Sequence, residues 1–273
     1  MTCEVTPVIF RREVDEQIVQ CDIAGLRSAI DAARRLQPEL GADGIEVAGG
    51  FAAFTGVGSP LSEAIGVGSQ GPVDAAEIAE ITAFYQSHGT RPRVFVTPLA
   101  DPSLARVLAQ AGYVPIEYSN VLASDRLDSF ARRDERIAVT SDVEAWSHAS
   151  ARAFTGREIL EPGDETIATV IASCEGVIAL EACENGAIVA TAAMDVRLGC
   201  AGLFAGSTMG EFRNRGWQIA LICDRIARAR EAGANLLRAG AAPGSTSERN
   251  FQRCGFVTLY TRVLWELPEP PMP

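Results

Sequence analysis

The sequence is poor in the residues that carry metal and redox chemistry. It has two histidines, His88 and His148, in separate helical stretches and without metal-ligand spacing. Its seven cysteines (Cys3, Cys21, Cys174, Cys183, Cys200, Cys223 and Cys254) are odd in number and scattered, with no Cys-x-x-Cys pair. That pattern argues against a zinc site or a disulfide framework and for reduced thiols in a cytoplasmic protein. No segment approaches the roughly 18 uninterrupted apolar residues of a membrane span. The opening MTCEVTPVIFRREVDEQ has no sustained apolar stretch of the kind a secretion signal needs. A Gly-Lys-Ser/Thr loop is absent, which counts against a nucleotide-binding P-loop. Positive charge is also in deficit: 24 basic residues face 35 acidic ones, a formal net charge of −11. Broad nucleic-acid binding needs a basic surface that releases counterions, so that class is disfavoured.

What remains is an ordinary globular composition, 47% hydrophobic and 22% charged, with an order of elements that occurs twice. In the first half a short strand (64–68) precedes a helix (73–89) with Ile78, Ile81, Phe84 and Tyr85 on one stripe. A strand (93–97), a helix (101–112) and a further strand (113–122) follow. The second half repeats this as strand 201–208, helix 215–233, strand 236–241, short helix 245–255 and long strand 256–267. Gly112-Tyr113-Val114 and Gly255-Phe256-Val257 recur at matching places, so an internal duplication is expected. Upstream of the second set lie a strand, two helices and a hairpin turning at Asn185-Gly186, where both residues tolerate positive φ. The charged stretch 123–136 marks the expected boundary, giving domains 1–125 and 126–267 and a disordered tail 268–273.

The stretch STMGEFRNRGWQIALI (207–222) runs from a strand through a turn rich in Arg and Gly into a long helix. The first amides of a helix have no intrahelical partners, and its dipole favours an anion there. Arginine adds a fork suited to phosphate oxygens, and Gly216 removes a Cβ from the path of the ligand. Arg213-Asn214-Arg215-Gly216 before a long helix resembles the acyl-CoA signature of the GNAT (GCN5-related) N-acetyltransferases, usually Arg/Gln-x-x-Gly-x-Gly/Ala. The hairpin, strand, turn, helix, strand, short helix ending in Gly-Phe and last strand match that family over roughly residues 136–267, whereas the first half matches only in element order.

The resemblance implies an α/β protein (an α+β mixed sheet) of two tandem GNAT-like folds. It implies acetyl-CoA as acyl donor, no metal, and a small amine-bearing substrate. A homodimer is compatible with it, and neither nucleic acid nor membrane is an expected partner. It places the CoA pyrophosphate on the turn of Arg213, Asn214, Arg215, Gly216, Trp217 and Gln218. The pantetheine would lie beside Thr208 and Met209, with Ser247 and Asn250 facing it from the short helix; helix capping is the plain alternative for Ser247. Trp217 would pack against the strand or the adenine. Two residues depart from the pattern: Gln218 replaces a small residue, and Phe251 stands where many members carry a tyrosine that protonates the departing thiolate. Tyr260 is the candidate replacement acid, with a core or edge-strand tyrosine as the plain alternative. Glu181, ahead of Glu184 and Asp195, is the candidate base, with an ordinary solvated carboxylate as the plain alternative for each.

In the first half GVGSQG (66–71) has the letters of a dinucleotide fingerprint, but Pro72 follows at once and no basic residue lies between Val67 and Val73. That half reads as a degenerate copy without a CoA turn, although Ser69 and Gln70 keep some capacity for a weakly held anion. The function expected is N-acetyl transfer by direct attack in a ternary complex. The alternative is a catalytically silent GNAT-fold module that binds acyl-CoA or a partner protein.

Overall fold

A computed structural model describes residues 12–161 and 163–269. Cys3 and residues 270–273 of the expected tail lie outside the described residues. The chain divides into two compact units, one of Arg12–Ser119 completed by residues from Tyr260 onward, the other of Asn120–Leu259. They are called the N-terminal and the C-terminal unit.

In chain order the first half forms α1 (Arg12–Leu36), β1 (Asp43–Val47), β2 (Gly50–Phe54), β3 (Ala64–Ile65), α2 (Ala75–Ser87), β4 (Arg93–Val96), α3 (Ser103–Gln110) and β5 (Val114–Ser124). The second half forms α4 (Leu127–Phe130), β6 (Ile137–Val139), α5 (Val143–Thr155), α6 (Thr166–Ala172), β7 (Val177–Glu184) and β8 (Ala187–Arg197). It continues with β9 (Cys200–Thr208), α7 (Trp217–Glu231), β10 (Leu236–Ala241), α8 (Thr246–Arg253) and β11 (Val257–Glu266).

In the N-terminal unit β1 and β2 make a hairpin, β3 pairs antiparallel with β2 and parallel with β4, and β11 runs antiparallel to β4 from Val263↔Val96 to Glu266↔Arg93. The expected stripe of α2 is buried in a core with Phe54, Leu104 and Leu108. The last strand, expected with the second half, thus belongs from Tyr260 onward to the unit of the first. The glycine-rich stretch is consumed by local structure: Gly68 donates to the Ala48 carbonyl and accepts from the Asp101 amide, each at 2.9 Å. Asp74 closes the start of α2. Its carboxylate accepts from the amides of Ala76 and Glu77, and Glu77 reaches back to the Asp74 amide, a capping box that satisfies the helix's free donors.

In the C-terminal unit β6, β7, β8 and β9 form an antiparallel series, with Asn185 (φ 53°) and Gly186 (φ 79°) at the β7–β8 turn as expected. β9 and β10 are parallel, and residues 120–124 of β5 pair antiparallel with β10. Each unit therefore completes its sheet with the end of a strand from the other half of the sequence. Successive residues of β9 face opposite ways: Leu203 packs with Ile222 and Ile226 of α7, whereas Phe204 packs with Trp146 of α5. No disulfide joins the cysteines at 21, 174, 183, 200, 223 and 254, and the Cys223 and Cys254 sulfurs lie 4.0 Å apart in the core.

Candidate active site

Two local features open a groove in the C-terminal unit. Parallel pairing of β9 with β10 stops at Leu203↔Ala239, so β9 from Phe204 onward and the end of β10 separate. On its other side β9 carries a bulge: the register steps from Ala193↔Phe204 to Thr191↔Ser207, and Ala205 takes a φ of 50°. Beyond β9 the chain makes a single 3-10 turn at Gly210–Phe212, passes Asn214 at φ 63°, and enters α7 through Gly216 at φ 84°. No side chain caps α7. Its first amides are left to whatever lies in front of them.

What lies in front is a cavity of about 690 Å³. Thr208, Arg213, Asn214, Gly216, Trp217, Gln218, Ser247 and Asn250 all line it, so eight of the ten residues expected at the donor site converge. Met209 and Arg215 are not among the lining residues. Met209 is buried with Ala149 and Ala153, and its amide donates to the Val189 carbonyl at 3.0 Å. Arg215 turns to the surface, 3.3 Å from Glu184 and over the Phe212 ring.

The lining residues are held by definite contacts. Arg213 donates to the Thr208 carbonyl at 3.2 Å and to the Ala153 carbonyl at 3.4 Å, tying the end of β9 to the end of α5. Gln218 spans from α7 to β9, donating to Thr208 Oγ1 at 3.0 Å. A Cβ on Gly206 would sit 3.2 Å from its Oε1. Trp217 packs into the core, its ring 4.5 Å from the Arg136 guanidinium, and its indole N–H is buried without a partner. Ser245, not Ser247, caps α8, accepting from the Glu248 amide at 3.1 Å; Ser247 is exposed. Asn250 accepts from Arg253 at 3.0 Å.

Sequence reasoning missed Glu248. This buried carboxylate accepts from the Gly244 amide (2.6 Å), Asn120 (2.7 Å) and Thr258 (3.1 Å), and so ties α8 to β5 and β11. Those donors, the Gly244 amide foremost, hold its pKa below the usual range. Its one sequence signal is a position three residues after the capping Ser245.

The candidate acid and base lie elsewhere. Tyr260 belongs to the N-terminal unit, where its buried hydroxyl donates to Asp15. Burial and then the Asp15 charge push the phenol well above its ordinary value. Glu181 sits on β7 opposite Thr191 and Ala138 and does not line the cavity. Glu184 is the partner of Arg215, and Asp195 is buried 2.7 Å from Arg197. Phe251 is a core residue, edge-on to Phe256 at 5.0 Å.

Separated parallel strands, a bulge on the strand before the turn, and an uncapped helix facing the gap define the architecture. A GCN5-related N-acetyltransferase from Kribbella flavida matches it with a TM-score of 0.64 at 21% identity, over 89% of this chain and 96% of that one. The fold is that of the GNAT acetyltransferases. A protein assigned to the GNAT family from Novosphingobium aromaticivorans matches with a TM-score of 0.57 at 15% identity, over 85% of this chain and 93% of that one. A tandem GNAT protein from the clavulanic acid biosynthesis pathway matches at 0.51 and 15% identity, over 72% and 70% of the two chains. No protein-family model matches the chain, and no curated protein matches it in sequence. Among the described residues no helix is long and apolar enough to cross a membrane, and no three His, Cys, Asp or Glu side chains converge as a metal site.

Proposed function

We propose that the C-terminal unit is an acyl-CoA-dependent N-acetyltransferase acting on a small molecule or peptide that bears an amine. The observation that carries this is the uncapped start of α7 opening on a cavity beside the end of β9 that has parted from β10. The site suits acetyl-CoA in detail. A Cβ at Gly216 would meet nothing within 4 Å, so the residue borders open space that a diphosphate would fill. The amides at the start of α7 and the Arg213 guanidinium supply the matching donors.

Transfer proceeds by attack of the neutral amine on the thioester carbon. The C–N bond forms as the carbonyl π pair moves to oxygen. Collapse then breaks the C–S bond, the pair leaves on sulfur, and the nitrogen's surplus proton passes by way of water to the thiolate. Alignment of amine and thioester supplies most of the acceleration. Water at the mouth of the cavity carries the proton, because neither Tyr260 nor Glu181 lines it. The N-terminal unit is a copy without a donor site, a reading supported by Asp74, whose carboxylate sits at the start of α2 where an anion would otherwise lie.

Calorimetry with acetyl-CoA tests the assignment. One equivalent binds per chain, and Arg213→Glu weakens binding at least tenfold. Equal affinity in the two proteins removes the site. The second reading, a silent acyl-CoA-binding module, is favoured by Phe251, which has no proton to give. Thiol release across a panel of amines separates the two: release dependent on one amine rejects the silent module, and none with any amine supports it.

A further inference from the structure

Arg225 of α7 is 1% exposed, among the largest fully buried side chains of the chain. Its Nε donates to the Leu221 carbonyl at 3.1 Å, and its Nη1 donates to two carbonyls of the sheet, Ala193 and Phe204, each at 3.1 Å. It has no ion pair among the described residues. Its neighbour Asp224 is committed to Arg133, Arg228 and the Asp134 amide. Burial lowers the guanidinium pKa to about 10, which still leaves it charged near neutral pH. A charge taken out of water without a counterion is costly, so its place calls for an explanation.

That place is the β9 bulge. Ala193↔Phe204 is the last pair before the register steps, and Ala205 and Gly206 take no strand partner on β8 or on β10. Arg225 Nη2 lies 3.7 Å from where a Cβ on Gly206 would be, and Gly206 lines the cavity. The guanidinium thus ties the two carbonyls at the bulge, and Ala205 and Gly206 just beyond have no register partner on either side.

We propose that Arg225 is a positioning residue for acyl transfer: it holds the bulge in the shape that leaves the Ala205 and Gly206 amides available to the thioester oxygen, and its unpaired charge favours the negative oxygen formed on attack. This rests on the acetyl-CoA reading above. The amine's pair still forms the C–N bond and the sulfur still leaves with the C–S pair. Arg225 exchanges no proton, and acts on the charge that gathers on oxygen between those events.

The test uses the full chain and [1-13C]acetyl-CoA, reading the bound carbonyl by infrared stretch and 13C resonance. In the wild type the stretch falls below its value in water. Arg225→Met binds acetyl-CoA within a few-fold and loses the displacement, and Arg225→Lys restores part of it. With an amine that supports turnover, kcat drops roughly 10- to 100-fold in Arg225→Met while KM stays within a few-fold. Arg225→Gln, which is uncharged and too short to reach both sheet carbonyls but keeps two N–H donors, serves where Arg225→Met does not fold. An undisplaced carbonyl in the wild type, or the same displacement in a folded Met or Gln variant, overturns the role of Arg225 and leaves the donor site standing. Absence of acetyl-CoA binding in the wild type overturns both.

Discussion

At position 216 the backbone passes through φ 84° just where α7 begins, a conformation glycine adopts freely and an L side chain resists. Gly216→Ala therefore carries two separable effects. Strain lowers stability by about 1 kcal/mol, read by urea unfolding. The methyl group projects into the donor space and weakens acetyl-CoA at least tenfold, read by calorimetry. Stability loss with unchanged affinity would mean that the turn does not cradle the ligand. Glu63, in the N-terminal unit, provides a test of a different kind. Burial pushes its carboxyl up to about 7 against the pull of Arg262, with Asp22 and Glu117 adding to the rise and Arg93 opposing it. The folded state then binds a proton that the unfolded chain has released, so stability declines as pH rises from about 4.5 to about 7 and is level above. The loss is on the order of 1–3 kcal/mol. Glu63→Gln removes it and unfolds at more nearly the same urea concentration at pH 5 and pH 8. A wild type equally stable at both would refute the shift.

The residues that could be read from the sequence are those whose geometry is local. Arg213, Asn214 and Gly216 sit in the turn that enters α7 at Trp217 and Gln218, and such a turn brings its own residues together, although Arg215 within it faces the surface. Tyr260 shows the limit: its surroundings depend on which unit the last strand joins, and nothing in TLYTRVLWEL says that it joins the first. Arg225 was hidden by the habit of assigning arginine to the wet face of a helix. It lies four residues after Leu221, three after Ile222 and four before Ala229, all of them buried, and that spacing was the available signal.

At the scale of elements the contrast between α2 and α7 carries the most information. Both follow a glycine-containing connection after a strand, yet α2 begins in an Asp-Glu capping box and α7 begins bare. One helix satisfies its own first amides; the other has no side-chain cap and faces the cavity. α8 depends on its cap in a further way, because it presents Ser247 and Asn250 to the cavity. Ser245→Ala removes the acceptor of the Glu248 amide and costs about 1 kcal/mol in urea unfolding. Acetyl-CoA affinity falls several-fold with it. Unchanged affinity would mean that α8 does not contribute to the donor site. The periodic elements of both halves were legible, whereas α1 was not. Its 25 residues bury Ile18, Leu26, Ile30 and Ala33 but also Asp15 and Ser28, so polar residues interrupt the apolar stripe.

At the scale of the whole molecule the exchange of strand ends governs how the protein can be divided. A fragment of residues 1–125 lacks β11, the antiparallel partner of β4, and a fragment of 126–273 lacks the β5 residues that pair with β10. Neither fragment is expected to give a dispersed amide spectrum alone, and the two expressed together should recover acetyl-CoA binding. A well-dispersed spectrum from 1–125 alone would contradict this dependence. The repeated order of elements was visible in the sequence because each half carries its own series of strands and helices. The exchange was not, because a strand carries the same alternation whichever sheet receives it. All 24 basic residues are arginines, so the chain offers no lysine to its own acetyl donor.

The exchange also sets an order of events during synthesis. Ordinarily the first domain to leave the ribosome folds first, while the rest of the chain is still being made. Here the N-terminal unit waits for the last strand to be translated, and until then β4 presents an unpaired edge in the crowded cell. Release of residues 263–266, which pair with β4, is the step expected to let the first half of the protein finish folding.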